Sequence, residues 1–254
     1  AAIMACKITG IQSLGVMTDM PGLMVRFERE QRLPWRTRIA TGIIKWCLNN
    51  FKKYVFLTEA MNVVNERKRP YIVMEGMSDR FMATYKRPFE AKDIKVVMYA
   101  GGLHERYGLK KLTEAFMMLP QENFRLKLFG SGPFVEKLKT KYTKKDSRIQ
   151  YMGVAPNAEV VAAELDASLL VNPRPTHEEF TKYSFPSKNI EYMASGTPLL
   201  TTKLPGMPKE YYPYVFLIEN ESVEGYAKAL ERVLAQSDEE LYVFGEKAKD
   251  FVLE

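Results

Sequence analysis

From residue 94 onward, short apolar segments alternate with segments of helical periodicity, and this alternation limits the possible folds more than any other feature. The apolar segments are Ile94–Ala100, Arg125–Phe129, Arg148–Met152, Ser168–Val171, Pro198–Thr202 and Tyr214–Ile218. The segments near 109–119, 135–142 and 223–233 repeat apolar residues every three to four positions. Strands that alternate with helices predict a parallel sheet covered on both faces, a doubly wound α/β domain. Ligands of such sheets bind beyond the carboxyl ends of the strands.

The first part of the chain carries fewer strands than a complete α/β domain needs. Its strand-like segments are Leu14–Thr18, Tyr54–Thr58 and Tyr71–Met74, with a helix-like piece at Glu59–Glu66. Three strands with their connections make a marginal domain. We therefore predict that residues 1–78 are the last part of an N-terminal domain, that residues 79–93 are a linker, and that residues 94–254 are a C-terminal domain.

The composition of the chain excludes several classes of protein. The 254 residues are 46% apolar and 27% charged, which is typical of a globular chain and not of a disordered one. No segment approaches the roughly 18 consecutive apolar residues of a membrane-spanning helix, and no signal segment opens the sequence. Two cysteines, Cys6 and Cys47, cannot build a disulfide framework. These features predict a cytoplasmic protein.

The net charge of +6 comes from one segment of the chain. Residues 26–53 contain eight basic and two acidic side chains, so this segment accounts for the whole excess. Trp35, Ile39, Ile43 and Trp46 mark one apolar face of a helix there, with basic residues mainly off that face. Such a helix can lie on an anionic membrane surface, here the inner face of the plasma membrane; it can equally pack on a core with a wet basic face. Binding of nucleic acid is disfavoured, since no recognised binding fold accompanies the charge.

The first motif is the glycine-rich turn from Gly101 and Gly102 to Gly108, directly after a strand and before a helix. Glycines let backbone N–H groups approach a ligand, and a helix N-terminus favours an anion. Arg106 adds a positive charge suited to phosphate. The alternative is a plain strand-to-helix turn with solvated charges.

Two further turns follow the next two strands. Phe129–Pro133 contains Gly130, which either permits a tight turn or admits a ligand at the sheet edge, and a proline suited to the first helical position. Met152–Val154, around Gly153, lies at the end of a strand and is a candidate base-stacking edge.

The third motif, Tyr183–Pro198, is the most specific. A hydroxyl-rich loop leads into a short helix that carries Lys188 and Glu191 three residues apart, and therefore on one face. A carboxylate can accept both hydroxyls of a ribose, while the helix start, Ser187 and Lys188 can face a diphosphate. An exposed Lys–Glu pair is the alternative, but it leaves the rest of the motif unexplained.

These motifs, in this order, resemble the family 4 retaining glycosyltransferases (group 1) with the GT-B fold, in a subgroup of bacterial surface-polysaccharide assembly. The resemblance implies two Rossmann-like domains, here a C-terminal one with a parallel sheet and the last part of the N-terminal one. It implies a sugar moved from a nucleotide-diphosphate donor, a UDP-sugar, to a glycan or lipid-linked acceptor, without a cofactor. It places Arg106 and Lys188 at the diphosphate. The predicted donor-binding residues are Gly101, Gly102, Gly130, Gly153, Ser184, Phe185, Pro186, Ser187 and Glu191.

Three positions depart from the family pattern. Tyr183 stands where the family often has a first glutamate, and Gly102 and Tyr107 stand where its phosphate loop has arginine and lysine. These departures keep a second hypothesis open, a non-catalytic partner subunit of a membrane glycosyltransferase complex; a GT-B epimerase is a third. No Asp-x-Asp pair is present, and neither His104 nor His177 has a second ligand at metal-binding spacing, so we expect no metal site.

Overall fold

The computed structural model describes residues 2–20, 35–87 and 89–254, which group into two compact units. The first unit contains the described residues up to Gly76 together with His177–Pro186 and Pro205–Met207. The second unit contains the described residues of Met77–Thr176, Ser187–Leu204 and Pro208–Glu254.

The first unit is built on a small parallel sheet. Its elements are α1 (Ala2–Thr9), β1 (Leu14–Met17), α2 (Trp35–Leu48), β2 (Lys53–Phe56), β3 (Tyr71–Val73) and 3₁₀ turns at Glu59–Val64 and Glu179–Lys182. The strands pair in the order β1-β2-β3, and Val16 lies opposite Val55. The buried core consists of Met17, Tyr54, Phe56 and Met61.

The second unit begins with one αβ half. Its elements are a 3₁₀ turn at Arg80–Thr84, β4 (Lys95–Ala100), a 3₁₀ turn at Glu105–Tyr107, α3 (Leu109–Met117), β5 (Phe124–Phe129), α4 (Phe134–Lys137), a π turn at Leu138–Tyr142, α5 (Thr143–Lys145) and β6 (Ile149–Gly153). The predicted helix around Tyr142 is thus interrupted by the π turn.

The other half follows the same rhythm. Its elements are α6 (Asn157–Asp166), β7 (Leu169–Asn172), α7 (Ser187–Ala194), β8 (Leu199–Thr202), a 3₁₀ turn at Lys209–Tyr214, β9 (Phe216–Ile218), α8 (Val223–Leu234) and α9 (Asp238–Leu253). Side chains cap the last two helices: Ser222 accepts from the Gly225 N–H, and Ser237 and Glu240 form a capping box.

All six strands of the second unit are parallel, in the order β6-β5-β4-β7-β8-β9. The chain runs outward from β4 to one edge and then from β7 to the other, so the direction of winding changes between β4 and β7. In open α/β sheets a crevice opens at this switch point, on the side of the carboxyl ends. The predicted doubly wound fold is confirmed.

The segment predicted as a linker, 79–93, differs in its packing, because it belongs to the second unit. Arg87 donates hydrogen bonds to the carbonyls of Leu165, Ala167 and Gly196 at 3.1 Å each. A guanidinium with three carbonyl partners fixes the segment on the ends of α6 and α7. In addition, His177–Pro186, predicted within 94–254, groups with the first unit.

Candidate functional site

Three glycine turns lie side by side at the carboxyl ends of β4, β5 and β6. The Gly101 N–H donates to the Phe129 carbonyl at 3.0 Å, and the Gly130 N–H donates to the Gly153 carbonyl at 2.7 Å. A Cβ at Gly130 would collide with the carbonyl oxygen of Gly101, and φ there is +124°. Close packing of the two turns therefore explains the glycine at 130, while a Cβ at Gly153 would meet open space. Ligand contacts of Gly130 and Gly153 stay predictions.

Lys188 and Glu191 lie on α7 as the spacing predicts. Lys188 Nζ is 3.3 Å from Glu191 Oε2, and both side chains are half-buried. A Cβ built on Gly101 would lie 3.2 Å from Lys188 Cε and 3.0 Å from the Tyr99 hydroxyl. The ammonium-bearing chain of Lys188 therefore passes directly along the Gly101 backbone. The structure thus brings the first and third motifs together at the end of β4.

Buried polar side chains hold α7 in this position. The Tyr192 hydroxyl accepts from the Ala100 N–H at 2.8 Å and donates to the Ala100 carbonyl at 3.1 Å. Asn172 at the end of β7 donates to Asn189 Oδ1 at 2.6 Å, and Asn189 donates to Thr201 Oγ1 at 3.4 Å. These buried bonds tie α7 to three strands of the sheet, so the Lys188–Glu191 pair sits on a rigid support.

The ring of Tyr107 lies against Gly102, on the same turn as Arg106. Tyr107 Cε2 would be 3.3 Å from a Cβ at Gly102. The Arg106 guanidinium carbon is 5.3 Å from the centre of the Tyr107 ring, a cation–π distance. His104 packs on the same ring, with ring centres 5.1 Å apart. Two of the three positions that depart from the family pattern, Gly102 and Tyr107, therefore lie next to each other.

Two other side chains were not predicted from the sequence; Arg174 lies near this turn, and Glu164 lies near Lys188 and Glu191. Arg174, two residues beyond β7, places its guanidinium carbon 5.2 Å from the centre of the Tyr107 ring. Glu164 of α6 is fully buried, and neither of its carboxyl oxygens has a hydrogen-bond partner among the residues that the structure describes. Their neighbours, Tyr107 for Arg174 and Lys188 with Glu191 for Glu164, lie far away in sequence, so no local pattern identifies them.

Burial sets the charge state of Glu164. Burial raises the pKa of its carboxyl to about 8; the nearby negative charge of Glu191 adds to this shift, and the positive charge of Lys188 opposes it. The carboxyl is therefore mostly protonated at pH 7. An uncharged Glu164 leaves the ammonium group of Lys188 with one carboxylate neighbour, Glu191, in place of two.

The family model described as glycosyl transferases group 1 matches residues 83–251, more than half of the chain. The chain belongs to the group 1 glycosyl transferases. The family predicted from the three motifs is thereby confirmed. A curated protein named as a colanic acid biosynthesis glycosyltransferase, WcaL of Escherichia coli K12, is 30% identical over 112 residues. That match covers 42% of this chain and 27% of WcaL.

Solved structures of glycosyltransferases show the same GT-B fold. Sucrose-phosphate synthase of Thermosynechococcus elongatus matches 94% of this chain and 62% of its own, with a TM-score of 0.69 and 19% identity. WaaG, a glycosyltransferase involved in lipopolysaccharide biosynthesis, matches 94% of this chain and 70% of its own, with a TM-score of 0.68 and 17% identity. HepE of Anabaena, solved with UDP and glucose, matches 99% of this chain and 69% of its own, with a TM-score of 0.68 and 14% identity. This group 1 chain thus spans only part of these relatives' length. Identities this low show the fold alone.

The remaining predicted donor-binding residues of this group 1 chain divide between the two units. Ser184, Phe185 and Pro186 belong to the first unit, and Ser187 opens α7 in the second. Phe185 is buried, and a Cβ at Gly206 would lie 2.6 Å from the Ser184 carbonyl oxygen. The loop is thus packed tightly within the first unit. Its contact with the transferred sugar stays a prediction.

The basic segment is only partly described. Residues 26–34 lie outside the described residues, whereas α2 exposes Ile39, Ile43 and Trp46. The predicted apolar face is therefore exposed to solvent, at least in part, at these three positions, and its binding to an anionic membrane stays a prediction. Within the described ranges, no helix has both the length and the apolarity that crossing a bilayer requires.

Proposed function

We propose that this chain forms the donor side of a retaining glycosyltransferase, which moves a sugar from a UDP-sugar to a glycan or lipid-linked acceptor in bacterial polysaccharide biosynthesis. One observation carries the proposal: the Lys188–Glu191 pair is held against the Gly101 turn, at the carboxyl end of β4. A cation, a carboxylate and a glycine-opened backbone at one place suit a nucleoside diphosphate.

The chemistry assigned to these groups is electrostatic. Breaking the bond between the sugar and the diphosphate puts negative charge on the departing phosphate oxygen. Fixed cations and a helix N-terminus stabilise such charge without having to reorganise. Lys188 in the first turn of α7 and Arg106 on the opposite turn supply these cations. Glu191 accepts hydrogen bonds from the ribose hydroxyls, which orients the nucleotide. In front-face transfer the acceptor oxygen bonds to the sugar carbon on the side from which the diphosphate leaves, and the acceptor's hydroxyl proton passes to the departing phosphate oxygen. This route requires no carboxylate nucleophile from the protein.

The relatives support the choice of donor and process. HepE was solved with UDP and glucose, and TarM with UDP and α-GlcNAc-glycerol. WcaL and WaaG are named for colanic acid and lipopolysaccharide biosynthesis. Each relative covers this chain only in part or at low identity, so the donor sugar and acceptor class remain proposals.

Calorimetric titration with UDP and GDP tests the proposal. We expect binding of one of them, and Glu191→Ala should weaken it about tenfold, the usual loss for a charged hydrogen bond. Lys228 and Glu231 form a similarly spaced, exposed pair on α8, so Glu231→Ala is the matched control and should bind as the wild type does. Absence of binding to either nucleotide at millimolar concentration would contradict the proposed function. Equal affinity of wild type and Glu191→Ala would show that Glu191 does not bind the ribose, without contradicting the proposed function.

A further inference from the structure

Two arginines converge on one aromatic ring at the switch point of the larger sheet. Arg106 and Arg174 place their guanidinium carbons 5.3 Å and 5.2 Å from the centre of the Tyr107 ring. The first lies in the turn after β4 and the second in the segment after β7, and β4 and β7 are neighbours in the sheet. The two cations therefore come from opposite sides of the crevice in which α/β sheets bind ligands.

The backbone that carries Arg174 is fixed on three sides. The buried Tyr226 hydroxyl donates to the Pro173 carbonyl at 2.8 Å, and Thr202 Oγ1 donates to the Arg174 carbonyl at 2.5 Å. A Cβ at Gly108 would collide with the Pro173 carbonyl oxygen, so the turn after β4 packs directly on this segment. Arg174 is thus positioned before any ligand arrives, which lowers the entropy cost of binding.

The charge of Arg174 reaches the Gly101 turn. Burial raises the pKa of Tyr99 to about 12, and the positive charge of Arg174 opposes that rise. The Tyr99 hydroxyl in turn lies beside Gly101, as does Lys188 Cε. Tyr99, beside Gly101, therefore has both the charge of Arg174 and the side chain of Lys188 in its surroundings. The turn itself supplies one cation, Arg106, because Gly102 and Tyr107 are uncharged.

We infer that Arg174 binds the diphosphate of the donor, and that Tyr107 serves as the aromatic support that holds Arg174 and Arg106 on either side of it. The inference rests on the proposed function, and it adds a residue to that site. A planar guanidinium presents a fork of N–H donors that matches phosphate oxygens, and it stacks on an aromatic ring better than an ammonium does. One side chain can thus keep both contacts.

The decisive experiment compares a nucleoside diphosphate with its nucleoside. UDP and uridine are titrated into the wild-type chain, Arg174→Gln and Arg174→Lys, with ligand-observed NMR for weak binding. Arg125→Gln is the matched control, because Arg125 is also a half-buried arginine of the second unit but lies at the amino end of β5. We expect Arg174→Gln to weaken UDP binding about tenfold or more, with uridine affinity unchanged. Arg174→Lys should recover part of the loss, and Arg125→Gln should match the wild type.

Three results would overturn the inference, and they are distinct. Unchanged UDP affinity in Arg174→Gln would show that Arg174 does not bind the diphosphate, and the proposed function would still stand. Equal losses for UDP and uridine would show that Arg174 only supports the fold of the site. Wild-type protein that binds neither UDP nor GDP would overturn the proposed function and this inference together.

A second pair of variants tests the aromatic support. Tyr107→Phe keeps the ring and should retain UDP affinity within about twofold, while Tyr107→Leu should lose about fivefold, as expected for cation–π contacts of modest strength. Uridine affinity should stay constant in both. If Tyr107→Leu bound UDP as tightly as Tyr107→Phe does, the ring would have no part in placing the arginines.

Discussion

The two units of the chain cover their parallel sheets to different degrees. In the second unit, every residue of β7 and β8 is buried, and Leu170 has no exposed surface. In the first unit, Leu14 on β1 is 55% exposed and Ile72 on β3 is 61% exposed. Parallel strands are normally buried on both faces. The second unit meets this condition by its own helices, whereas the described part of the first unit does not.

Because of this difference, the second unit is the better support for the proposed site. The second unit can anchor a site on buried polar bonds such as Tyr192–Ala100 because its core excludes water. Among the described residues, the buried cluster around the sheet of the first unit is small and consists of Met17, Tyr54, Phe56 and Met61. Both tryptophans of the chain, Trp35 and Trp46, belong to α2 of the first unit. Fluorescence therefore follows the first unit, and far-UV circular dichroism follows mainly the second.

The largest expected effect comes from the same substitution in the two sheets. Leu170→Ala removes a fully buried side chain from β7 and should lower the free energy of unfolding by about 3–5 kcal/mol. Leu14→Ala removes an exposed side chain from β1 and should cost less than about 1 kcal/mol. Urea unfolding followed by both signals measures the two values. Similar costs would mean that the two sheets are equally well covered.

The next effect concerns the buried acid of the second unit. The folded-state pKa of Glu164 is raised to about 8 by burial, so between its ordinary pKa and pH 8 the folded state binds more protons than the unfolded state. Stability that is fully present below the ordinary pKa is therefore lost as pH rises through this window, by roughly 3 kcal/mol between pH 5 and 8.

Glu164→Gln keeps the shape of the side chain and cannot ionise, so it should remove most of this pH dependence from the dichroism-detected transition. Glu159→Gln, at an exposed position of the same helix, is the control and should keep the wild-type slope. Parallel slopes for wild type and Glu164→Gln would show that Glu164 does not titrate with a raised pKa.

The sequence predicts the strands of both units, and it predicts the first and third motifs, which the structure brings together at the end of β4. All nine strands in the described parts of the chain lie within two residues of their predicted limits, since parallel strands appear as compact apolar runs. Helix α6 escaped prediction because it buries only Val161 and Glu164, and a glutamate normally indicates an exposed face. Helix α9 was also missed.

Arg174 illustrates the limit of local pattern. Its ring partner, Tyr107, lies on the preceding half of the sheet, and only the pairing of β4 with β7 brings the two together. Strand order follows from the packing of the whole domain, so no spacing in the sequence reports this contact. Lys188 and Glu191, by contrast, are three residues apart on one helix, and their contact was predictable.

Replacing a glycine by alanine should change the free energy of unfolding in opposite directions in the two units, by an intermediate amount. Gly108 has φ of +84° and packs against the Pro173 carbonyl, so Gly108→Ala should destabilise the second unit by about 2 kcal/mol or more. Gly42 lies inside α2, where a Cβ would meet nothing within 4 Å, so Gly42→Ala should stabilise the first unit by about 0.5–1 kcal/mol. Loss of stability in both variants would contradict the open surroundings of α2.

The smallest effect is electrostatic and belongs to the first unit. A hydrogen bond from Lys45, at 2.9 Å, and a second one from Asn49 lower the pKa of Glu66. Its contribution is present above the ordinary pKa of a glutamate and is lost as pH falls through the lowered value, which is the opposite sign to Glu164.

Exposed pairs of this kind are screened by salt. The urea midpoint of the fluorescence-detected transition should therefore fall slightly on acidification at low salt. Lys45→Gln or 0.5 M NaCl should reduce this fall, whereas Lys52→Gln should leave it unchanged. The urea midpoint of the dichroism-detected transition should rise as the pH is lowered from 8 to 5, because Glu164 becomes protonated in this range. If both midpoints moved in the same direction, the two units would unfold as one, and the contrast between a covered and an uncovered sheet would have no thermodynamic consequence.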